Sequence, residues 1–461
     1  MEGIRSFPAR SALAVASGAL STTAYPPLDF GWLVFPALAG LMVSLRGVRG
    51  VRARALGFLF GMSAFGIGFS WLLDMFGPLA LSLWCVLALF PTCFAWLLAR
   101  AEERGWNGAK LAWFAAANWT AWEFIRGELF TLRFPWMTNG LAPGANGLLS
   151  WIGVYGVGFL VMLVVALLVC GWRKPWAEAR GLALLLLAVL GIASIPSFGI
   201  PSADRGIKTA GVQLEAVSLS EYLAATRALP EDVEYVVWPE VSVPYDIRLQ
   251  ERDWQEVLIL CRERGITLTF GTKRMPAGPS GPWHNIALTV DAGGVRGEHN
   301  KVHTVHMFDD GVAGNSARPV TTAFGKIGTP ICFDCDYQDV MRKMTAAGAE
   351  AFMVPFMDAI PWGAKEHAQH AELFRTRARE NGRWVFACGS SGISQAIDPN
   401  GRVVTSLGFP EQGVFTATVG RNESLTVFTR IGWVTPWVVL AAAAICGVFL
   451  FLPSRKPAAG A

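Results

Sequence analysis

Long apolar runs fill the first 200 residues, whereas polar and apolar residues alternate at ordinary globular spacing from about residue 205 to about residue 428. One further apolar run, Trp433 to Leu452, comes just before the C-terminus. A bilayer core of about 30 Å needs roughly 20 apolar residues per helix. The pattern therefore predicts eight membrane-spanning helices, at residues 11–27, 29–45, 55–74, 78–98, 109–126, 147–170, 180–197 and 432–452.

These spans divide the chain into three predicted regions. A seven-span α-helical bundle covers residues 1–200, an α/β domain covers 205–428, and a C-terminal transmembrane helix covers 430–454. The first span also has the features of a cleaved signal peptide, because Arg5 and Arg10 precede small apolar residues. The regular spacing of the spans behind it favours a retained helix.

Lysine and arginine in the short loops predict the orientation, because cytoplasmic loops carry an excess of these residues. Only Arg126 and Arg133 lie in the short loops of one side. The other side carries Arg5, Arg10, Arg46, Arg49, Arg52, Arg54, Arg100, Arg104, Lys110, Arg173, Lys174, Arg180, Arg455 and Lys456. We expect both termini in the cytoplasm and the α/β domain outside it.

The region after residue 206 alternates short β-branched runs with amphipathic stretches, which is typical of a layered α/β domain. Strands are predicted at 208–214, 235–238, 266–271, 285–291, 328–333, 351–355 and 384–387, and helices at 246–264, 337–347 and 366–381. Two more strands, 393–397 and 402–405, flank the turn Asp398-Pro399-Asn400-Gly401 and form a predicted hairpin.

Composition agrees with a membrane protein: 52% of the 461 residues are hydrophobic and 16% are charged. The formal net charge of +4 is small for this length, so we expect no nucleic-acid partner. Asp74 and Glu123, the acidic residues at span ends, are expected at the membrane interface.

Three chemically capable residues each stand at the end of a predicted strand or just after one. Glu240 follows Trp238-Pro239, Lys301 follows His299-Asn300, and Cys332 ends the run from Gly328. A thiol is mostly protonated at neutral pH, so a nucleophilic cysteine needs a base and a cation nearby. Taken singly, such residues are usually a loop acid, a surface lysine and a packed cysteine. Their combination predicts a nucleophile (Cys332), a general base (Glu240) and a stabilising cation (Lys301).

The order Glu, Lys, Cys resembles the nitrilase superfamily, and further motifs resemble the apolipoprotein N-acyltransferases over nearly the whole chain. In the α/β region they are Trp238-Pro239-Glu240, Asn300-Lys301, Ile331-Cys332-Phe333-Asp334, the helix from Gln369-His370 to Arg383, and Gly392-Ile393 through Gly401-Arg402. In the apolar region they are Tyr25-Pro26-Pro27 with Phe30 and Trp32, Gly57–Gly68 with Trp71, Phe134-Pro135-Trp136 and Gly153–Val157.

The resemblance implies an αββα sandwich, a multi-pass protein of the bacterial inner membrane, and a catalytic domain facing the periplasm or exterior. It implies a ping-pong reaction in which Cys332 takes an acyl chain from a phospholipid as a thioester. The acyl chain then passes to the N-terminal amine of a diacylglyceryl-modified apolipoprotein. No cofactor is implied.

The same resemblance assigns supporting or substrate-binding roles to Asp309, Phe333, Asp334, Trp136 and Trp238. The family has Pro-Phe-Gly-Glu after its catalytic lysine, and by spacing Asp309 takes the place of that glutamate. Phe333 and Asp334 replace the more usual tyrosine and glutamate. Trp136 matches a position near substrate entry, with an interfacial anchor as its alternative role.

Three alternatives remain open at this point. The spaced pairs His303/His306, His367/His370 and Cys332/Cys335 permit a zinc site, although such spacings are common and we expect no metal. Cys335 also permits a disulfide with Cys332 in an oxidising compartment. The triad equally suits a membrane-anchored amidase or nitrile hydrolase, and a diverged scaffold could bind lipoproteins without acylating them.

Overall fold

The computed structural model describes residues 6–170, 177–194, 206–276 and 281–453. Its helices are α1 (Phe7–Thr22), α2 (Val34–Leu45), α3 (Gly50–Gly68), α4 (Leu72–Phe76), α5 (Leu79–Glu103), α6 (Gly108–Phe124), α7 (Leu149–Cys170), α8 (Ala177–Ala193), α9 (Leu219–Arg227), α10 (Glu251–Arg264), α11 (Asp339–Ala346), α12 (Ala364–Asn381), α13 (Val427–Arg430) and α14 (Thr435–Phe451). Its strands are β1 (Gly206–Gln213), β2 (Tyr235–Val237), β3 (Thr267–Arg274), β4 (His284–Asp291), β5 (Gly294–Asn300), β6 (Val320–Thr322), β7 (Gly325–Gly328), β8 (Ala351–Phe356), β9 (Trp384–Gly389), β10 (Ser394–Ile397), β11 (Val403–Leu407) and β12 (Gly413–Gly420).

The chain divides into two compact units. The first contains the described residues of Met1–Ala142, Val154–Gly191 and Val434–Ala461, and the second contains those of Pro143–Gly153 and Ile192–Trp433. Helix α7 passes from the second unit to the first at Gly153, where the backbone leaves the helical region (φ 67°, ψ 177°). Glycine suits this break because a side chain would strain a positive φ.

The first unit is helical, and each predicted span overlaps at least one helix, although the span predicted at 55–74 covers parts of both α3 and α4. Among the described residues, three helices are long and apolar enough to cross a membrane: Leu79–Glu103, Leu149–Cys170 and Gly432–Phe451. Two shorter apolar helices cover Gly31–Leu45 and Arg180–Ala193. The end of the seventh predicted span, 195–197, lies outside the described residues. Eight spans therefore remain a prediction, of which three have helices of sufficient length and hydropathy.

Small residues let the helices of this unit approach closely. A side chain at Gly57 would come within 2.5 Å of the Pro91 carbonyl oxygen, and one at Gly61 within 2.7 Å of Ala88 Cα. Both glycines lie on α3 and face α5. In lipid, where apolar burial gives little driving force, such close packing is a main source of helix association.

Two charged residues of this unit lie inside it rather than at its surface. Glu123 is 5% exposed and Arg126 is 2% exposed, so the helical unit encloses both side chains. The position of Glu123 at the membrane interface remains a prediction. Arg126 Nη1 donates to the carbonyl oxygens of Phe134 and Trp136 at 2.9 and 2.8 Å. Glu123 Oε1 accepts from the backbone N–H of Asn139 at 2.9 Å. These bonds satisfy three backbone polar groups of the 134–139 loop.

The second unit contains two six-stranded sheets, in the orders β12-β1-β2-β3-β4-β5 and β11-β10-β9-β8-β7-β6. Alternate residues of one strand enter different cores, as the pleat of a strand requires. Val236 packs among residues of α9 and α10, whereas Tyr235 and Val237 pack among residues of the other sheet. Helices α11 and α12 cover the second sheet through Met341, Met344 and Phe374 among others. This is the layered α/β arrangement that the sequence predicted.

One predicted strand differs where the chemistry is expected. Strand β7 covers Gly325–Gly328, whereas the predicted strand covered 328–333, so the two share only Gly328. Residues 329–331 leave the sheet, and Cys332–Cys335 form a 3-10 turn. The apolar side chains there are buried by packing rather than by strand pairing, which hydrophobicity alone does not distinguish.

Candidate active site

The turn after β2 places Glu240 against two neighbouring strands. The Glu240 N–H donates to the Phe356 carbonyl at 3.3 Å, and the Gly271 N–H donates to the Pro239 carbonyl at 3.0 Å. A side chain at Gly271 would lie 2.2 Å from the backbone nitrogen of Val241. The turn can therefore rest on β3 only because residue 271 is glycine, and the Glu240 side chain is thereby fixed in a buried position.

Lys301 follows β5 and is 2% exposed. Its Nζ lies 2.7 Å from Glu240 Oε1 and 2.7 Å from Asp310 Oδ2. An ammonium so deeply buried needs compensating carboxylates, and here it has two. Burial disfavours the charged amine, but Glu240, Cys332 and Asp310 together raise the pKa of Lys301 well above its ordinary value. Lys301 is therefore a permanent cation.

Cys332 begins the 3-10 turn after β7, with its backbone in the left-handed region at φ +46°. Residues other than glycine rarely adopt this conformation, and such strain is concentrated at functional positions. The side chain is buried, and its Sγ lies 3.8 Å from the Met357 carbonyl oxygen.

The three side chains form one coupled electrostatic group. Burial and the negative charge of Glu240 raise the pKa of the Cys332 thiol well above its usual range, while Lys301 acts in the opposite direction. Burial likewise raises the pKa of Glu240, and Lys301 opposes that change. Glu240 is thus a stronger base than a solvated carboxylate, and the thiol keeps its proton until a base removes it.

A cavity of about 190 Å³ opens onto these groups. Its polar lining consists of Glu240, Lys273, Lys301, Asp309, Asp310 and Cys332, and the other lining residues are apolar. Phe308 and Trp362 stand at 5.8 Å between ring centroids. The apolar part of the lining is completed by Val241, Trp283, Val305 and Met357. A site with one polar wall and apolar surroundings suits a substrate with a reactive carbonyl and a long apolar portion.

Comparison with known families matches both halves of the chain. Residues 17–167 match the model "Apolipoprotein N-acyltransferase N-terminal domain", and residues 165–424 match the model "Carbon-nitrogen hydrolase". The chain belongs to the apolipoprotein N-acyltransferase family of carbon-nitrogen hydrolases. This confirms the resemblance drawn from the motifs.

Relatives of this acyltransferase family cover nearly the whole chain. An "Apolipoprotein N-acyltransferase" of Pseudomonas aeruginosa is 27% identical over 91% of each chain. One of Azotobacter vinelandii is 28% identical over 91% of this chain and 90% of the relative. Among solved structures, Saccharomyces cerevisiae Nit3, "a member of branch 10 of the nitrilase superfamily", matches 56% of this chain and 98% of its own, at 22% identity and a TM-score of 0.41.

The carboxylate that supports Lys301 in this N-acyltransferase-family protein is Asp310, whereas the sequence prediction assigned that place to Asp309. Besides Lys301, Asp310 accepts from Asn285 Nδ2 at 2.7 Å and from the Val305 N–H at 2.8 Å. Asp309 instead accepts from Trp283 Nε1 at 3.1 Å. The prediction counted residues after Lys301 and so chose Asp309. The fold of that loop instead brings Asp310 to the lysine.

Asp334 joins the segments that carry the lysine and the cysteine. It accepts from the backbone N–H groups of Ile331, Val302 and His303 at 2.8–3.1 Å. His299 Nε2 lies 2.9 Å from Oδ2, the oxygen that also accepts from Ile331, and both side chains are almost fully buried. Burial acts to raise the pKa of Asp334, but the His299 bond and charge lower it below its ordinary value. Asp334 touches the backbone around the candidate triad and supports its geometry.

The other predicted supporting residues are placed differently. Trp238 is completely buried, donates from Nε1 to Thr226 Oγ1 at 3.0 Å, and packs on Tyr222 and Phe270. It is a core residue and is not among the described residues that line the cavity, so of its two predicted roles the supporting one stays a prediction. Phe333 packs edge-on against Tyr337 at 5.1 Å. Trp136, in the helical unit, is buried against Trp71 and Phe134 at 5.0 and 5.6 Å.

The histidine and cysteine pairs do not assemble as the zinc alternative required. His303 bonds Asp339 at 2.7 Å, and His367 Nδ1 bonds the Gly363 carbonyl at 2.7 Å. Among the described residues, the group of three possible ligands is Cys332, Asp358 and His370, whose atoms lie within 4.8 Å of one another. All eight cysteines, which all lie in the described part of the chain, are free thiols, including Cys335.

Proposed function

We propose that the chain transfers an acyl chain from a phospholipid to the N-terminal amine of a diacylglyceryl-cysteine lipoprotein, through a thioester on Cys332. The observation that carries this proposal is that Cys332, Glu240 and Lys301 line one cavity. The chain also matches the apolipoprotein N-acyltransferase N-terminal domain in its first part and the carbon-nitrogen hydrolases in its second. The names of its relatives supply the acceptor class.

In the first half-reaction, Glu240 removes the Cys332 proton as sulfur attacks the sn-1 ester carbonyl of the phospholipid. Lys301 stabilises the oxyanion of the tetrahedral intermediate, as a fixed cation in a water-poor site does most effectively. The C–O bond then breaks, and the protonated Glu240 returns its proton to the leaving glycerol oxygen. The products are a lysophospholipid and an acyl-thioester on Cys332.

In the second half-reaction, the free α-amine of the lipoprotein cysteine attacks the thioester carbonyl. Glu240 accepts an amine proton, the C–S bond breaks, and the thiol is regenerated as the amide forms. Asp310 contributes by holding the Lys301 ammonium between two carboxylates. The apolar cavity lining supports exclusion of water, which would otherwise hydrolyse the thioester.

We further propose the membrane arrangement predicted from the sequence: seven spans within residues 1–200, a catalytic domain at 205–428, and a last span at 430–454. The distribution of arginine and lysine supports cytoplasmic termini and a catalytic domain outside the cytoplasm. In a bacterium this corresponds to the inner membrane with the domain in the periplasm or exterior. There, acyl donors and acceptors reach the site from the lipid phase.

The proposal is tested by incubating the purified full-length protein with phospholipid labelled in the sn-1 acyl chain. We expect a labelled, hydroxylamine-sensitive adduct that mass spectrometry assigns to the Cys332 peptide. Cys332→Ala should give none, whereas Cys335→Ala, the matched neighbouring cysteine, should keep it. An adduct that persists in Cys332→Ala would refute the nucleophile assignment.

Identifying the acceptor requires a second measurement. The carbon-nitrogen hydrolase match leaves water as an alternative acceptor, as in an amidase. Addition of a diacylated lipopeptide should yield a triacylated product. Release of free fatty acid without triacylation would favour the hydrolase. Absence of both the adduct and either product would favour a non-catalytic lipoprotein-binding protein.

A further inference from the structure

A second buried ionic group lies beside Cys332, on the side formed by β8 and α12. It consists of Asp336, Asp358, Glu366 and His370, each at most 4% exposed. The Cys332 Sγ, a carboxylate oxygen of Asp358 and a ring nitrogen of His370 all lie within 4.8 Å of one another. At such distances, and away from water, charges act strongly on the thiol. The proposed reaction assigns this group no step.

His370 is held between two carboxylates. Its Nδ1 lies 2.8 Å from Asp358 Oδ1, and its Nε2 lies 3.3 Å from Asp336 Oδ1. Burial disfavours the charged ring, but Asp358 and Asp336 raise the pKa of His370 well above its ordinary value. The ring is therefore an imidazolium at neutral pH, with an N–H directed at each acid.

The acids around this ring have unequal effects on Cys332. Asp358 opposes ionisation of Cys332, because its negative charge raises the pKa of the thiol. Burial and the charge of Asp358 raise the pKa of Glu366 well above its ordinary value, which favours its neutral form. The charged or titratable groups facing this part of the site are Glu240, Lys301, Asp310, Asp336, Asp358, Glu366 and His370.

We propose that His370 is a positioning residue whose imidazolium charge offsets that of Asp358, so that the Cys332 thiolate can form beside a buried acid. His370 acts through Asp358 and takes no part in bond making. The inference extends the proposed function, since it rests on Cys332 being the residue that must ionise.

Charge variants of the full-length protein test this through the pH dependence of Cys332 alkylation by iodoacetamide, followed by peptide mass spectrometry. His370→Gln keeps one N–H donor and removes the cation. We therefore expect the pH profile of Cys332 alkylation to move to higher pH, and alkylation at neutral pH to be about tenfold slower. Asp358→Asn should shift the profile in the acidic direction. The double variant should return close to wild type.

Two controls separate charge from structure. Arg375→Gln removes another cation of α12, one that bonds Glu372 and the Gly401 carbonyl, and should leave the Cys332 profile unchanged. Alkylation of a cysteine introduced at Ala292, in the exposed turn between β4 and β5, gives the reference rate in the same samples. If His370→Gln does not fold, Asp358→Asn alone remains decisive, because loss of an opposing charge must accelerate alkylation.

The inference is overturned if His370→Gln leaves the profile in place, if Asp358→Asn slows alkylation, or if the double variant does not recover. Alkylation requires no acyl donor, so it separates this inference from the acyltransferase proposal. If the His370 and Asp358 variants shift the alkylation profile as expected but no labelled adduct forms, only the acyltransferase proposal is contradicted. A labelled adduct without the shifts would contradict the role of His370 alone.

Discussion

At the scale of single residues, the candidate site depends on a buried ammonium shared by two carboxylates. Asp310 restrains Lys301, and its negative charge also raises the pKa of Glu240. Asp310 therefore strengthens Glu240 as a base, although none of its described contacts is with Cys332. Asp309, one residue earlier, bonds Trp283 and serves as its matched comparison.

We expect Asp310→Asn to lower acyl transfer by about tenfold or more and Asp309→Asn to have a much smaller effect. Removal of the Asp310 charge lowers the pKa of Glu240, so the acidic limb of the pH–rate profile should move to lower pH. Initial rates across pH for both variants provide the measurement. Equal losses in the two variants would contradict the assignment of Asp310.

The lowered pKa of Asp334 predicts that the free energy of unfolding depends on pH. Its pKa is lowered in the folded protein, so its contribution is present above the unfolded value of about 4 and is lost as pH falls through the folded value. Asp334→Asn should cost about 3 kcal/mol at neutral pH, and the difference from wild type should narrow below about pH 4. Thermal unfolding at several pH values measures this.

The comparison variant for that experiment is Asp232→Asn, which removes an exposed ion pair with Lys208 at 3.3 Å. Such a surface pair contributes about 0–1 kcal/mol, so its melting temperature should stay close to wild type. A pH-independent loss in Asp334→Asn would show that its carboxylate charge is not the stabilising feature.

Motifs predicted the three central side chains, but they did not predict the residues that act by tertiary placement. Asp310 lies beside the residue that spacing indicated, and Asp358 and His370 come from separate elements. Trp238 lies only two residues before Glu240 but packs in the core with residues of α9 and α10. Strand alternation would give residues 238 and 240 the same face, but β2 ends at Val237 and Glu240 lies in the turn that follows. Sequence proximity to a catalytic residue therefore does not imply a shared site.

At the scale of elements, Gly271 on β3 controls the position of the Glu240 turn. Gly271→Ala would place a side chain against rigid backbone, so the turn must move. A displacement of about 1 Å at a reacting group can lower the rate about 100-fold, and we expect a loss of that order. Measured kcat should fall far more than the melting temperature.

Gly293→Ala provides the control for that substitution. Its added side chain would lie 2.5 Å from the flexible end of Arg296, which can swing aside, and at an ordinary contact distance of 3.4 Å from Asp291 Oδ1. Activity and melting temperature should both stay near wild type. Retention of full activity in Gly271→Ala would contradict the proposed dependence of Glu240 on β3.

The strands that the sequence did not predict are edge strands. β5 and β12 are the two edges of one sheet, and β6 is an edge of the other. β5 reads Gly-Val-Arg-Gly-Glu-His-Asn and is mostly exposed or half-buried, so it lacks the apolar alternation of inner strands. Inner strands were predictable because burial on both faces requires apolar, β-branched residues.

At the scale of the whole molecule, the contrast in hydropathy along the chain predicted a helical part and an α/β part, and the two compact units have these compositions. Orientation in the membrane remains a prediction. The predicted orientation follows from the charges in the loops, which influence how a chain inserts into the membrane. The packing of the helices does not reveal it.

Single cysteines test the orientation in intact spheroplasts with a membrane-impermeant maleimide. Ala292→Cys, in the exposed turn between β4 and β5, should be labelled from outside. Lys110→Cys, exposed at the start of α6, should react only after permeabilisation. Peptide mass spectrometry distinguishes each from the native cysteines. The reverse labelling pattern would place the catalytic domain in the cytoplasm and exclude the proposed topology.

Glu240 and Lys301 follow strands of one sheet, whereas Cys332 follows a strand of the other. In a chain whose two sheets have not yet met, Cys332 is separated from both of these residues. On the proposed mechanism, acyl transfer therefore begins only after the two sheets have packed together.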